Sequence, residues 1–237
     1  MDLFAQQWGA YRAVVEHDLM EHRAVATATA AVLEDWLAAR GPQAAPARMV
    51  DLGCSDLALL TPLLRRLPLG SYTGLDLTAA VLPLAQQALG DVPYTCRWIE
   101  ADLLSWASDP TGDGEAPIDI LHSAFAIHHL SDAQKQAFLE AIRARIAPGG
   151  LFIWVDVFRE PGESREAYVQ RYQQRIATGW PQLSSEHQNH VSSHLTVYDN
   201  PADRAAIAET AATAGWQWRW AWNGAHRAEA MAVLTPA

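Results

Sequence analysis

Cysteine occurs only twice in the 237 residues, as Cys54 and Cys96. That is too few for a disulfide framework or a four-cysteine metal knot, and it fits a reducing compartment. No apolar run approaches the ~18 residues of a membrane span, and the N-terminus lacks a signal peptide's charged region. Basic residues are in the minority, 17 against 27 acidic, for a formal charge of −10. Phosphate binding draws on clustered Lys and Arg, so no nucleic-acid partner is expected. What is present is a half-hydrophobic, 19% charged chain that can bury a full core. The expectation is a soluble, cytoplasmic, acidic protein with no membrane partner, monomeric or homodimeric, acting on a small molecule.

Residues 3 to 40 have helical periodicity, with Leu3, Phe4, Trp8, Tyr11 and Val15, then Ala28, Val32, Leu33, Trp36 and Leu37. Gly41-Pro42 stops this segment. Strand and helix then alternate. Strands are predicted at 49–52, 72–75, 94–99 and 118–121, and helices at 57–67 and 81–89, where Pro62 and Pro83 weaken the boundaries. An acidic Gly- and Pro-rich loop, SDPTGDGEAP, precedes the fourth strand. Ser131 and Gln134 have capping-box spacing, opening a helix to Ile146 that Pro148-Gly149-Gly150 terminates. LFIWVDVF is then a strand apolar enough to be buried on both faces. Residues 161–198 are polar and helical, and Asn200-Pro201 is placed to cap the next helix, which ends at Gly215. Two more strands follow, 216–222 and 230–234.

Such alternation implies an α/β chain with a doubly wound, mainly parallel sheet, whose ligands bind beyond the carboxyl ends of the strands. At those ends lie Asp51-Leu52-Gly53-Cys54-Ser55-Asp56, then Asp76-Leu77, then Glu100-Ala101-Asp102-Leu103, then Ser123-Ala124-Phe125-Ala126-Ile127-His128-His129. Asp76 follows Gly53 by 23 positions, near the ~20-residue offset at which an acid meets a ribose diol in nucleotide-binding βαβ units.

VDLGCS, YTGLDL, ADLL, DILHSAFAIHHLSD and IAPGGLFIWVDVF, with a closing AGW…EAMAVL pair, resemble the class I S-adenosylmethionine-dependent methyltransferases of small-molecule type. The resemblance implies a Rossmann-like, seven-stranded sheet with an antiparallel last strand, and S-adenosylmethionine as cofactor. It divides the chain into N-terminal helices at 1–45, a cofactor-binding core at 46–160, a helical lid insert at 161–198 and a closing helix and hairpin at 199–237. By the same resemblance, Asp51 and Gly53, with Cys54 and Ser55, flank the methionine part. Asp76 holds the ribose, Asp102 with Leu103 frames the adenine, and Leu77, Ser123 and Ala124 are further cofactor-binding candidates. Tyr11, Arg12 and His22 become candidates for the cofactor's carboxylate or the substrate. Phe125, His128, His129, His190 and His194 fall on the acceptor side, with His128 and His129 as the catalytic candidates.

One departure stands out. The family's loop has the form G-x-G-x-G, whereas here it has Gly53, Ser55 and Leu57. Ser55 is small, and Leu57 is expected to point away in a first helical turn. Cys54 doubles as a small buried hydrophobe. Glu186, His187, His190 and His194 share one helical face without the H-E-x-x-H arrangement, so no metal site is assigned there. Trp216, Trp218, Trp220 and Trp222 alternate and are expected on one sheet face under the last helix. Methyl transfer to a small, partly apolar acceptor, aromatic or a carboxylic acid, is the expected activity, by O- or N-methylation. A nicotinamide-dependent oxidoreductase and a non-catalytic cofactor-binding protein are the alternatives.

Overall fold

The computed structural model describes residues 3–41, 43–109 and 117–237, the side chains of 3–7 excepted. Most of the predicted acidic loop, Pro42, and the side chains of Leu3 and Phe4 therefore lie outside the described residues. Helices α1 (Leu3–Glu16) and α2 (His22–Arg40) precede β1 (Ala47–Leu52), α3 (Thr61–Leu64), β2 (Leu69–Asp76), α4 (Leu82–Leu89), β3 (Thr95–Glu100), α5 (Leu103–Ser108) and β4 (Ile118–Ala124). Then come α6 (Asp132–Arg143), β5 (Ile146–Arg159), α7 (Arg165–Gly179), α8 (Ser185–Tyr198), β6 (Ala202–Asp203), α9 (Arg204–Thr213), β7 (Trp216–Asn223) and β8 (Glu229–Pro236). The sheet order is β3-β2-β1-β4-β5-β8-β7, parallel throughout except for β8, which runs antiparallel to both neighbours. The two-residue β6 pairs with the end of β5, giving eight strands where seven were expected. None of the described helices is long and apolar enough to cross a membrane.

Both sheet faces are covered. Phe138, Leu139 and Ile142 of α6 and Ile207 and Ala211 of α9 pack with Phe152 and Trp154 on one face. On the other, Val25 and Leu33 of α2 and Ala85 and Leu89 of α4 pack with Met49, Ile153 and Val155. Burying each of the larger side chains contributes about 1.5–3 kcal/mol. A third cluster, Val14 of α1, Tyr168, Tyr172 and Ile176 of α7 and Leu195 of α8, forms a helical cap over the carboxyl ends.

Several local expectations are corrected. The N-terminal helix is two helices, because Asp18 and Glu21 adopt φ of 57° and the Asp18 carboxylate accepts from the Arg23 N–H. Pro62 and Pro83 sit in the first turns of α3 and α4, where a missing N–H costs nothing. Leu57 is not in a helical turn: it is buried with φ 57°, and Ser55 has φ 50°. The loop thus keeps left-handed geometry at positions where glycine is absent, at roughly 1–2 kcal/mol each. The Ser131–Gln134 capping box is formed, but its helix ends at Arg143. Pro148-Gly149-Gly150 lies inside β5, beside a register irregularity that tolerates a strand proline. The α9 cap is Asp203, accepting from the Ala205 and Ala206 N–H groups, because Ala202–Asp203 pair with β5 and delay the helix past Asn200-Pro201. Trp216, Trp218 and Trp220 pack beneath α6 and α9, whereas a bulge between Trp220 and Trp222 turns Trp222 to the opposite face.

Candidate active site

Between the carboxyl ends of β1, β2 and β4 and the helical cap lies a cavity of about 850 Å³. Its near end is built by the glycine-poor loop. Gly53 has φ 71°, and its N–H and that of Cys54 donate to the Leu75 carbonyl, folding the loop back over β2. A Cβ at Gly53 would stand 2.6 Å from that of Ala126, so the cradle admits no side chain there. Asp76 closes the loop from β2, with Oδ2 accepting from Ser55 N–H at 3.0 Å and Oδ1 from Thr78 N–H at 2.8 Å. Burial raises its pKa against the lowering effect of those two bonds. Leu77 stands 69% exposed at the rim. Asp102 is the N-cap of α5, its carboxylate accepting from Ser105 N–H, and still lines the cavity with Leu103.

Asp51 and His122 are cross-strand neighbours on β1 and β4. The Asp51 carboxylate accepts from the Tyr72 hydroxyl at 2.9 Å and sits 2.7 Å from His122 Nδ1. That leaves His122 Nε2 buried without a partner at the cavity floor. The other wall is helical. Trp8 and Tyr11 of α1 stack with centroids 5.3 Å apart. Tyr11 is 37% exposed, but desolvation pushes its pKa up to about 12, against a hydrogen bond to Ser55. His22 opens α2, edge-on to Phe125, with Nδ1 buried and unpartnered.

Burial depresses the His22 pKa from 6.5 to about 4, opposed by Asp18 and Glu229. The unfolded chain therefore takes up a proton on acidification before the folded one does. Stability contributed by neutral His22 is full above pH ~6.5 and is lost as pH falls toward about 4, by up to about 3 kcal/mol. Urea unfolding at pH 7 and pH 4.5 should show a shallower loss in His22→Gln than in the parent; identical losses would refute this.

The far end holds the histidines. His128 is buried, with Nδ1 2.5 Å from Asp156 Oδ1 and its own N–H donating to Asp156 Oδ2. Burial works against a charge on His128, but Asp156 and Asp199 outweigh it and raise its pKa. His129 is pushed down to about 3 by burial and by the neighbouring His128 and His194, and burial lowers His194 as well. Asp199, just past α8, faces all three rings. The buried ammonium of Lys135 donates to the carbonyls of Leu130 and Asn200, and Asn200 N–H donates to the His128 carbonyl, clamping the two segments together.

The structure thus gathers Tyr11, His22, Asp51, Gly53, Cys54, Ser55, Asp76, Leu77, Asp102, Leu103, Ala124, Phe125, His128, His129, His190 and His194 around one cavity. Two expected residues do not belong. Arg12 is exposed, off the cavity wall. Ser123 points the other way, its hydroxyl donating to the Leu52 carbonyl, because alternate β4 residues face opposite sides. Burial lifts the Cys54 thiol pKa well above its ordinary value, so it lines the site as an unionised, apolar group. His122, Asp156 and Asp199 were missed. Asp156 had a signal, as the one charge within LFIWVDVF, since a carboxylate in a strand buried on both faces requires a partner.

The methyltransferase-domain family model matches residues 50–152. Trans-aconitate 2-methyltransferase of Paracidovorax citrulli is 32% identical over 115 residues, 48% of this chain and 40% of that protein. An uncharacterized methyltransferase of Mycobacterium bovis is 33% identical over 102 residues, 43% of this chain and 46% of its own. The chain spans less than half the length of these curated relatives. Among solved structures, the plantazolicin methyltransferase BpumL, in complex with a triazolic desmethylPZN analog and S-adenosylhomocysteine, superposes with TM-score 0.64 at 11% identity, over 95% of this chain and 90% of that one. Magnesium protoporphyrin IX methyltransferase of Synechocystis superposes at 0.58 with 15% identity, over 92% and 87%. At these identities the superpositions establish the fold. Neither the nicotinamide-dependent nor the non-catalytic alternative gains support.

Proposed function

We propose that this chain, whose residues 50–152 match a methyltransferase domain, is a class I S-adenosylmethionine-dependent methyltransferase that methylates a small, non-anionic acceptor at an O or N atom bearing a free lone pair. The residues fit the cofactor: a tight turn at Gly53 that packs on Ala126 and admits no Cβ, a ribose-side carboxylate on β2, and two orphaned imidazole nitrogens, on His22 and His122. When bound, S-adenosylmethionine supplies an electrophilic methyl on a sulfonium. The chain's own work is to bind, orient and exclude water. Asp76 takes the ribose hydroxyls, Leu77 and Leu103 cover the adenine, and Tyr11 and His22 lie toward the methionyl carboxylate. The cap formed by α1, α7 and α8 keeps water out, and the histidine cluster holds the acceptor heteroatom in line with the methyl. Such orientation lowers a barrier by as much as ~7–11 kcal/mol without a covalent intermediate.

The observation that carries the acceptor's charge is that, among the described residues, no Lys or Arg lines the cavity, whereas Asp51, Asp56, Asp76, Asp102 and Asp199 do. A buried acceptor carboxylate would find no guanidinium to pair with. The carboxylic acids expected from sequence are therefore disfavoured, and so is transfer of the trans-aconitate activity from the relatives. Aromatic walls from Trp8, Tyr11, Tyr168, Tyr172 and Tyr198 suit a partly apolar, amine- or phenol-bearing molecule. Release of S-adenosylhomocysteine should be measured across amines, phenols and carboxylic acids. Turnover by amines or phenols is expected; turnover by carboxylic acids alone would overturn the charge argument. Thermal stabilisation by NAD(P)H but not S-adenosylmethionine would overturn the activity itself.

A further inference from the structure

We infer that His128, His129, His194 and Asp199 form a binding site for one divalent transition-metal ion of the zinc type. His128 Nε2, His129 Nδ1 and His194 Nε2 stand 3.5, 3.6 and 3.5 Å from the same oxygen, Asp199 Oδ1. The four residues offer ligand atoms that all lie within 4.8 Å of one another. Four donors at zinc bond lengths of about 2.0–2.1 Å on a tetrahedron are separated by roughly 3.3 Å. The three nitrogen-to-oxygen edges are therefore already within a few tenths of an ångström of that figure. They are too long for good hydrogen bonds, and Asp199 Oδ1 is buried with no hydrogen-bond partner. A buried carboxylate oxygen ringed by imidazole nitrogens at these distances lacks the partner that burial calls for.

The surroundings support the same reading. His128 Nδ1 is fixed by Asp156 at 2.5 Å, so its ring presents Nε2 to the cluster. This is the outer-shell carboxylate arrangement that orients metal-bound histidines. The Lys135 clamp fixes the backbone on both sides, after His129 and after Asp199. Three imidazoles and one carboxylate suit Zn²⁺, Co²⁺, Ni²⁺ or Fe²⁺ and not Mg²⁺ or Ca²⁺, which take oxygen ligands. The helix-face set read from sequence contributes only His194; its partners come from the turn after β4 and from the turn after α8. A metal here would tie the lid helix α8 to the sheet. All four residues also line the cavity. The site stands on this geometry and does not depend on the proposed methyl transfer.

The test uses the full chain without a histidine tag, stripped with a chelator and titrated with Zn²⁺ by calorimetry and with Co²⁺ by visible absorption. One equivalent should bind, with the ligand-field bands of four- or five-coordinate cobalt. His194→Ala and Asp199→Ala should each weaken binding at least as much as the roughly 10–100-fold an outer-shell partner commands. His187→Ala, on the same helix but off the cavity, should leave binding intact. Absence of saturable one-to-one binding would overturn the site. So would binding that survives both ligand variants, provided circular dichroism shows them folded. S-adenosylmethionine binding, measured separately by thermal shift, tells failure of this site from failure of the functional reading.

Discussion

Asp76→Ala should weaken S-adenosylmethionine binding by roughly a hundredfold or more while leaving the fold intact. A ribose diol offers two O–H donors, and each hydrogen bond to a charged group contributes about 1.5–3 kcal/mol. Losing both converts to at least two decades in affinity. The same carboxylate accepts from the Ser55 and Thr78 N–H groups. The variant therefore also loosens a loop that already holds Ser55 and Leu57 in left-handed backbone. Asp76→Asn, which keeps the shape and one acceptor, should fall between the two. Calorimetry with S-adenosylhomocysteine and circular dichroism on the same samples decide it. An affinity within threefold of the parent would remove the ribose assignment.

Glu229→Ala is expected to destabilise the chain by about 3–5 kcal/mol, because it removes the fully buried anion of an ion pair whose cation, Arg175, is itself largely withdrawn from solvent. Glu229 accepts from Arg175 Nη1 at 2.6 and 2.9 Å and from the Tyr172 hydroxyl at 2.7 Å. Arg175 also donates to the Leu19 carbonyl in the α1–α2 turn. One carboxylate on β8 thus joins the sheet, helix α7 of the cap and the N-terminal helices. For a chain of this size the loss amounts to a fall of about 6–20 °C in Tm. Arg175→Ala should cost a similar amount, and the double variant much less than the sum, since each single change strands the other's charge. A fall under 2 °C for Glu229→Ala would show that the pair does not hold the cap in place.

The legible parts of this protein were those governed by local chemistry. Alternating apolar runs fixed the strands, and residues just beyond them, Asp51, Gly53, Asp76 and Asp102, had to meet because parallel strands deliver their ends to one edge. The capping box at Ser131 was readable because both its bonds lie within four residues. Misreadings came where a longer-range contact overrode a local signal. Asn200-Pro201 is a good helix start, yet pairing of Ala202–Asp203 with β5 moved the start to Arg204. The tryptophan alternation was real, and a single bulge against β8 reversed its last member.

Composition and pattern by themselves determined the sheet class and the strand ends that share one edge, whereas the absence of Lys and Arg from the described cavity wall, which weighs against the carboxylic acids expected from sequence, was decided by the fold. Only the folded chain decided that Asp156, Asp199 and His194 would surround His128 and His129. These residues are separated by up to about seventy positions and come from different elements. Nothing in the spacing of a sequence encodes a meeting that depends on how a two-helix insert folds back over a sheet. That packing is set by Glu229, Arg175 and Lys135, buried charges whose partners exist only once the chain has closed.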